Sequence, residues 1–279
     1  MKILVIGLDS AQPEILFGND NLENLRRLMG YGCYGRLAGE NLESKETAWV
    51  SLLTSRPAGQ FPASSPEFSR LASPLDDDNE DQWVWSPIRS QGKQAIIQVS
   101  WEIAKSKKNQ LIDSVYAGNR KVFDQAREFV QGTEWEFLLL VDQGLDQLHQ
   151  AEFSGFLDQG STLGYYLHLD TQIGALLELL DDETVVLVVS PYGSPPLNGT
   201  NGSFILASSN NPLLGVVNEV NLLEIAPTLL ELGGYPIPQS MQGISLVAGK
   251  ALELLASQDL SAEEEAFLRE RLSGLGYIS

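Results

Sequence analysis

Lys2-Ile3-Leu4-Val5-Ile6-Gly7-Leu8-Asp9 opens the chain, and the fold follows from how this stretch is read. Its apolar residues run without alternation, as expected of a strand covered on both faces in a parallel sheet. A glycine and then a carboxylate close the run, at the end where open α/β sheets bind ligands. Runs of the same kind recur at residues 94–99, 137–141 and 184–190. Helical periodicity lies around and between them. Residues 21–29 carry Leu22, Leu25 and Leu28 at helical spacing, with Asp20 or Asn19 available as N-cap. Residues 118–130 and 162–180 are further helices, the second with an apolar stripe of Leu163, Leu167, Ile173, Leu176 and Leu177. Residues 261–272 form a charged helix that Ser261 and Glu264 can open as a capping box. Strands alternating with helices predict an α/β protein with a doubly wound, largely parallel sheet.

The 279 residues suit a single domain over 1–279, and no apolar run reaches the ~20 residues of a membrane span. With no signal-peptide pattern before the first strand, the expected location is cytoplasmic. The lone Cys33 has no intramolecular disulfide partner, in keeping with a reducing compartment. Acidic residues outnumber basic ones 37 to 18, a formal net charge of -19. Such a surface repels phosphate backbones, so nucleic acid and anionic membranes are excluded as partners, while a small phosphorylated ligand in a locally positive pocket is not. Residues 56–81 break the pattern. They are rich in Pro, Ser and Ala, end in the acidic run 76–81, and read as a solvated surface excursion or reduced cap. The chain lacks a phosphate-binding P-loop, a Gly-x-Gly-x-x-Gly turn and a Gly-x-Ser-x-Gly elbow.

Several segments, in order from end to end, resemble a known family. They are Gly7-Leu8-Asp9, Ala48-Trp49-Val50-Ser51-Leu52-Leu53-Thr54, Gly144-Leu145-Asp146, and the strand at 185–190 running into Pro191-Tyr192-Gly193. Supporting marks are the stretch 224–230, Pro236-Ile237-Pro238, Met241-Gln242-Gly243 and the closing stretch 271–278. The family is the type I phosphodiesterase/nucleotide pyrophosphatase branch of the alkaline phosphatase superfamily. The resemblance implies an alkaline-phosphatase-like sheet with helices on both faces. It also implies two divalent metals, usually zinc, that activate a Thr or Ser nucleophile at a helix N-terminus and clamp phosphoryl oxygens.

The residues implied as ligands are only partly present. Asp9 fills the place of the first carboxylate. Counting four back from Trp49, the nucleophile position holds Lys45, which cannot perform phosphoryl transfer through oxygen. Ser44 and Thr47 are near, but a two-residue shift on a helix turns a side chain by about 200°. In the Asp-x-x-x-His motif Asp146 matches, the histidine position holds Gln150, and His149 sits one place early. His149 is therefore either a helix histidine or a ligand restored by a slip of one residue. The Asp-His pair expected after the late strand reads Pro191-Tyr192, and Asn201 stands where a last histidine belongs. With only His149 and His168 in the chain, three imidazoles cannot be assembled.

The expectation is a degenerate phosphodiesterase-like protein. Its two-metal hydrolysis is lost, no catalytic residue or cofactor is assigned, and it acts by binding, scaffolding or regulation, with a small phosphorylated ligand or a protein as partner. Asp9, Lys45, Thr47, Asp146, Gln150, Tyr192 and Asn201 line the vestigial cleft. Lys45 is either a solvated lysine or an ammonium standing in for a metal beside Asp9 and Asp146. The alternative is an active phosphodiesterase or phosphatase that uses one divalent metal, zinc or manganese, or a hard cation, held by Asp9 and Asp146, with Asp142 and His149 as further candidate ligands. A purely structural subunit, its cleft filled by side chains, is the third reading.

Overall fold

Four of the eight strands come directly from the continuous apolar runs. The structure, a computed structural model, describes residues 1–38, 44–60, 83–99, 108–132, 134–158, 160–193, 202–218, 220–257, 261–274 and 277. Its strands are β1 (Ile3–Leu8), β2 (Gly32–Ala38), β3 (Ala95–Val99), β4 (Phe137–Asp142), β5 (Val185–Ser190), β6 (Gly202–Ala207), β7 (Gly215–Val216) and β8 (Val220–Asn221). The helices are α1 (Pro13–Gly18), α2 (Glu23–Gly30), α3 (Lys45–Thr54), α4 (Ser86–Arg89), α5 (Lys108–Gly132), α6 (Gly144–Phe153), α7 (Leu163–Leu177), α8 (Ile225–Gly233), α9 (Leu246–Ser257) and α10 (Ala262–Gly274).

The sheet order is β3-β4-β1-β5-β6-β2-β7, with β8 also paired to β2. β1, β3, β4 and β5 are mutually parallel, and among the described strands β6 alone runs against the rest. Side chains alternate across this sheet, as the pleat requires. Ile3, Val5, Leu139, Val141, Leu187 and Val189 point into a cluster with Trp49 of α3, Leu229 of α8 and Val247 of α9. Leu4, Ile6, Leu140 and Val188 point the other way, onto Leu25 of α2, Phe123 of α5, Leu148 of α6 and Leu169 of α7. Burying each such side chain contributes roughly 1.5–3 kcal/mol. This is the expected α/β sheet with helices on both faces, and it sets the carboxyl ends of β1, β4 and β5 side by side.

Several expectations need correction. β2 and β6 are absent from the runs read as strands; β6 carries only the short apolar run Phe204-Ile205-Leu206-Ala207, and β2 lacks an uninterrupted one. Gly35 of β2 must be glycine because a Cβ there would overlap the passing Val217 carbonyl, and that requirement interrupts the apolar pattern. In α7, Leu163 and Leu167 lie on the exposed side, and the buried stripe is Tyr165, Tyr166, Leu169, Ile173 and Leu176. Most of the excursion at 56–81, with its acidic run, lies outside the described residues. Only its first residues are seen, leading into the 3-10 turn Ala58–Gln60.

The start of α2 is also different from expectation. Leu22 occupies the N-cap, which no side chain of this segment serves. Asp20 instead pairs with Arg26, and Asn19 accepts from the Asn21 N–H. The free N–H groups of the first turn find their acceptor on another helix. Asp170 of α7 takes Asn24 N at 3.2 Å, Leu25 N at 2.9 Å and Asn24 Nδ2 at 3.0 Å. A buried carboxylate thus caps a helix across the interface, where local capping residues fail. Asp170→Ala strands these donors. We expect it to lower unfolding stability by about 2 kcal/mol, with an unchanged denaturant slope, in equilibrium chemical denaturation.

Candidate functional site

At the carboxyl end of β1, a Cβ at position 7 would run into the Trp49 ring. Gly7 leaves that space, so the indole of α3 lies across the strand and donates from Nε1 to Asp9 Oδ1 at 2.6 Å. Gln143 Nε2 donates to the other oxygen, Oδ2, at 3.2 Å. The next residue, Ser10, holds φ at 62°, a left-handed conformation that side chains other than glycine seldom adopt. The turn aims Ser10 Oγ at Asp146, to whose Oδ1 it donates at 2.8 Å.

Asp146 sits in the first turn of α6, directly after β4, where the helix dipole favours a negative charge. One turn on, Gln150 Nε2 donates back to Asp146 Oδ2 at 2.8 Å. The third element is the start of α3, where Ser44 is the N-cap and its Oγ accepts from Thr47 N at 3.2 Å. That cap directs the first helical residue, Lys45, at the carboxylates. Its Nζ donates to Asp146 Oδ2 at 2.9 Å and lies 4.0 Å from Asp9 Oδ2. The Lys45 side chain is 27% exposed, whereas those of Asp9 and Asp146 are 3% and 8% exposed.

Burial dominates the ionisation of Asp9 and raises its pKa to about 6. The Lys45 ammonium and the Trp49 hydrogen bond restrain the rise, and the neighbouring Asp146 adds to it. For Lys45 burial acts downward, but the charges of Asp146 and Asp9 outweigh it, so its pKa stands above the ordinary lysine value. The lysine is an ammonium at any physiological pH.

Beneath this triad lies a third buried carboxylate. Asp142 ends β4, and its carbonyl accepts from Asp9 N at 3.0 Å. Its side chain accepts from Gly144 N, from Tyr165 Oη on both oxygens and from Asn119 Nδ2, each at 2.9 Å. Gly144 must be glycine here because a Cβ would meet the Tyr165 hydroxyl. Asn119 spends its amide nitrogen on Asp142, so its Oδ1 is the acceptor 2.9 Å from His168 Nε2. That fixes His168 in the Nε2–H tautomer. All three donors to the Asp142 side chain are neutral, and its pKa is raised by burial.

The structure therefore brings Asp9, Lys45, Asp146 and Gln150 together. Thr47 serves the helix start, with Oγ1 3.0 Å from Ser44 Oγ. Tyr192 packs against the apolar cluster on the α3 face, and its carbonyl accepts from Ser190 Oγ at 3.0 Å. His149 Nε2 lies 3.4 Å from Tyr166 Oη, which accepts from Gln12 N at 2.7 Å. Burial lowers the His149 pKa. Asn201 lies outside the described residues. Ser10, Trp49, Asn119, Gln143 and Tyr165 were not identified as site residues from sequence. Their one signal was the pair of glycines that admit Trp49 and Tyr165.

Two dications do not fit this arrangement. An ammonium occupies the space between Asp9 and Asp146, and the oxygens of both carboxylates already accept hydrogen bonds. Among the described residues no three His, Cys, Asp or Glu side chains converge. Two surface grooves lie away from these residues, one of about 740 Å³ between β7, β8 and α9 and one of about 440 Å³ beside Pro236 and Pro238.

This sheet, with helices on both faces, has the fold of the alkaline phosphatase superfamily. Solved structures that share it include the following three. The phosphonate monoester hydrolase SpPMH from Silicibacter pomeroyi matches with a TM-score of 0.59 and 15% identity, over 88% of this chain and 75% of its own. A 2-O GAG sulfatase matches with a TM-score of 0.62 and 12% identity, over 89% of this chain and 73% of its own. An alkaline phosphatase superfamily protein from Vibrio parahaemolyticus covers 95% of this chain and 71% of its own, at a TM-score of 0.56 and 13% identity. No protein-family model matches the sequence, and comparison with curated proteins returns no match.

Two measurements test the electrostatics. Lys45→Met removes the counter-charge of two buried carboxylates, and should cost about 1–3 kcal/mol at pH 7, less than a fully buried pair because Lys45 is partly exposed. The double variant Lys45→Met with Asp9→Asn should lose less than Lys45→Met alone. Asp9 holds its proton more tightly folded, at about 6, than unfolded, near the ordinary aspartate value of 3.8. Stability from this group therefore rises as pH falls from 7 towards 4. Between pH 7 and 5 the wild type should gain about 1 kcal/mol relative to Asp9→Asn in denaturant titrations.

Proposed function

We propose that this chain is a degenerate phosphodiesterase/nucleotide-pyrophosphatase-like protein that has lost two-metal phosphoester hydrolysis and acts by binding, as a scaffold or regulator. One observation carries the reading: the Lys45 ammonium sits between Asp9 and Asp146, 2.9 Å from the second. An ammonium whose pKa is raised is no nucleophile at neutral pH. The same group takes the space in which a cation would bridge the two carboxylates. Asp142, the further carboxylate within reach, is committed to Tyr165, Asn119 and Gly144 N. The relatives named for activities act on phosphonate and sulfate esters, which makes a small tetrahedral oxyanion or its ester the ligand class to try first. The net charge of -19 argues against nucleic acid and anionic membranes as partners.

The decisive experiment assays purified protein for bound metal and for turnover of nitrophenyl phosphate, phosphodiester, phosphonate and sulfate, with zinc or manganese added. We expect substoichiometric metal and no release of nitrophenol above the buffer rate. Since hydrolases of such esters accelerate their reactions by many orders of magnitude, even a poor enzyme would register. Stoichiometric metal together with metal-dependent turnover would overturn the proposal and restore an active hydrolase.

A further inference from the structure

We propose that Lys45 is a tethered cation that keeps a divalent ion out of the cleft, and that truncating it uncovers an oxygen-lined site for one hard divalent cation between Asp9 and Asp146. The inference rests on the reading of the site given above. Asp9 Oδ2 and Asp146 Oδ2 both face the Lys45 ammonium, at 4.0 and 2.9 Å, so the two oxygens border one space. Among the described residues Lys45 is the cation ion-paired with either carboxylate. Removing it leaves two buried like charges facing each other, and such a pair recruits a counter-ion or a proton.

The remaining donors select the kind of ion. The Asp9 and Asp146 oxygens stay in place without the lysine, because Trp49 Nε1 holds one and Ser10 Oγ the other. Gln143 and Gln150 now donate through their amide nitrogens, and a half-turn of the terminal torsion offers their carbonyl oxygens instead. The shell is then carboxylate, amide and hydroxyl oxygen, which suits calcium or manganese. His149 is engaged with Tyr166, and Cys33 is buried against Asn211, so neither adds a soft ligand. The partly exposed lysine stem marks the route by which an ion would enter. In the wild type the ammonium competes from a covalent tether, at an effective concentration on the order of millimolar or more, which a free ion at micromolar concentration does not match.

The test is titration calorimetry and thermal melting of wild type, Lys45→Ala and Lys45→Ala with Asp146→Asn, using Mn²⁺ and Ca²⁺ as probes. Lys45→Ala should bind one Mn²⁺ per chain at least about tenfold more tightly than wild type and melt higher when the ion is added. The added Asp146→Asn change should abolish that gain, and wild-type melting should not respond. Equal affinity in wild type and Lys45→Ala overturns the inference. If Lys45→Ala is insoluble, Lys45→Met is prepared with Mn²⁺ present. Recovery of folded protein only with the ion supports the inference, and insolubility in its presence overturns it. An inert wild type whose variants gain no ion sinks this inference alone, whereas ester turnover by the wild type sinks the functional reading.

Discussion

Two carboxylates face each other out of water at the carboxyl edge of the sheet, and most of what surrounds them compensates for that burial. An ionised group loses several kcal/mol of hydration when it leaves water, unless donors and opposite charge replace what is lost. Here the replacements come from four separate pieces of chain. Trp49 and Lys45 arrive on α3, Gln143 from the β4–α6 turn, Gln150 on α6 and Ser10 from a left-handed turn. Gly7 is empty so that the indole can cross the strand, and Ser10 accepts an unfavourable φ so that its hydroxyl can reach. The lysine is the one member of this set that carries charge.

Much of the fold was legible because burial on both faces leaves a continuous apolar run, and β1, β3, β4 and β5 all write that signature. The rest was hidden for identifiable reasons. β2 carries glycine where a neighbouring backbone passes, so packing erased the pattern that would have announced a strand. α7 was placed correctly and its Ile173 and Leu176 face the core as expected, but leucines at 163 and 167 weigh as core residues in a pattern while two tyrosines fill that part of the buried stripe. Asp170 reads as an ordinary helix-surface acid, yet its partners are the amides of another helix. Asp9, Lys45 and Asp146 could be brought together from sequence only through the resemblance. The second layer around Asp142 could not, because its donors are neutral residues on α5 and α7, and neutral side chains in helices announce no site.

The comparison with hydrolases and a sulfatase of the same fold shows how far a scaffold constrains chemistry. The sheet order and the helix that begins at Lys45 deliver side chains to one edge whatever those side chains are. At identities of 12–15%, what persists is the delivery system. The residues delivered here are two buried carboxylates that share one ammonium and are otherwise held by neutral donors.

The central position of β1 has a consequence for how the chain comes to be folded. β1 needs a partner on each side, and those partners, β4 and β5, lie far downstream of it and begin at Phe137 and Val185. α2 is in the same situation, since the acceptor for its first amides is Asp170. Neither can complete its hydrogen bonds until the chain has been made past Asp170 and the strand at Val185–Ser190. Contacts this distant in sequence slow folding and leave an apolar strand uncovered meanwhile.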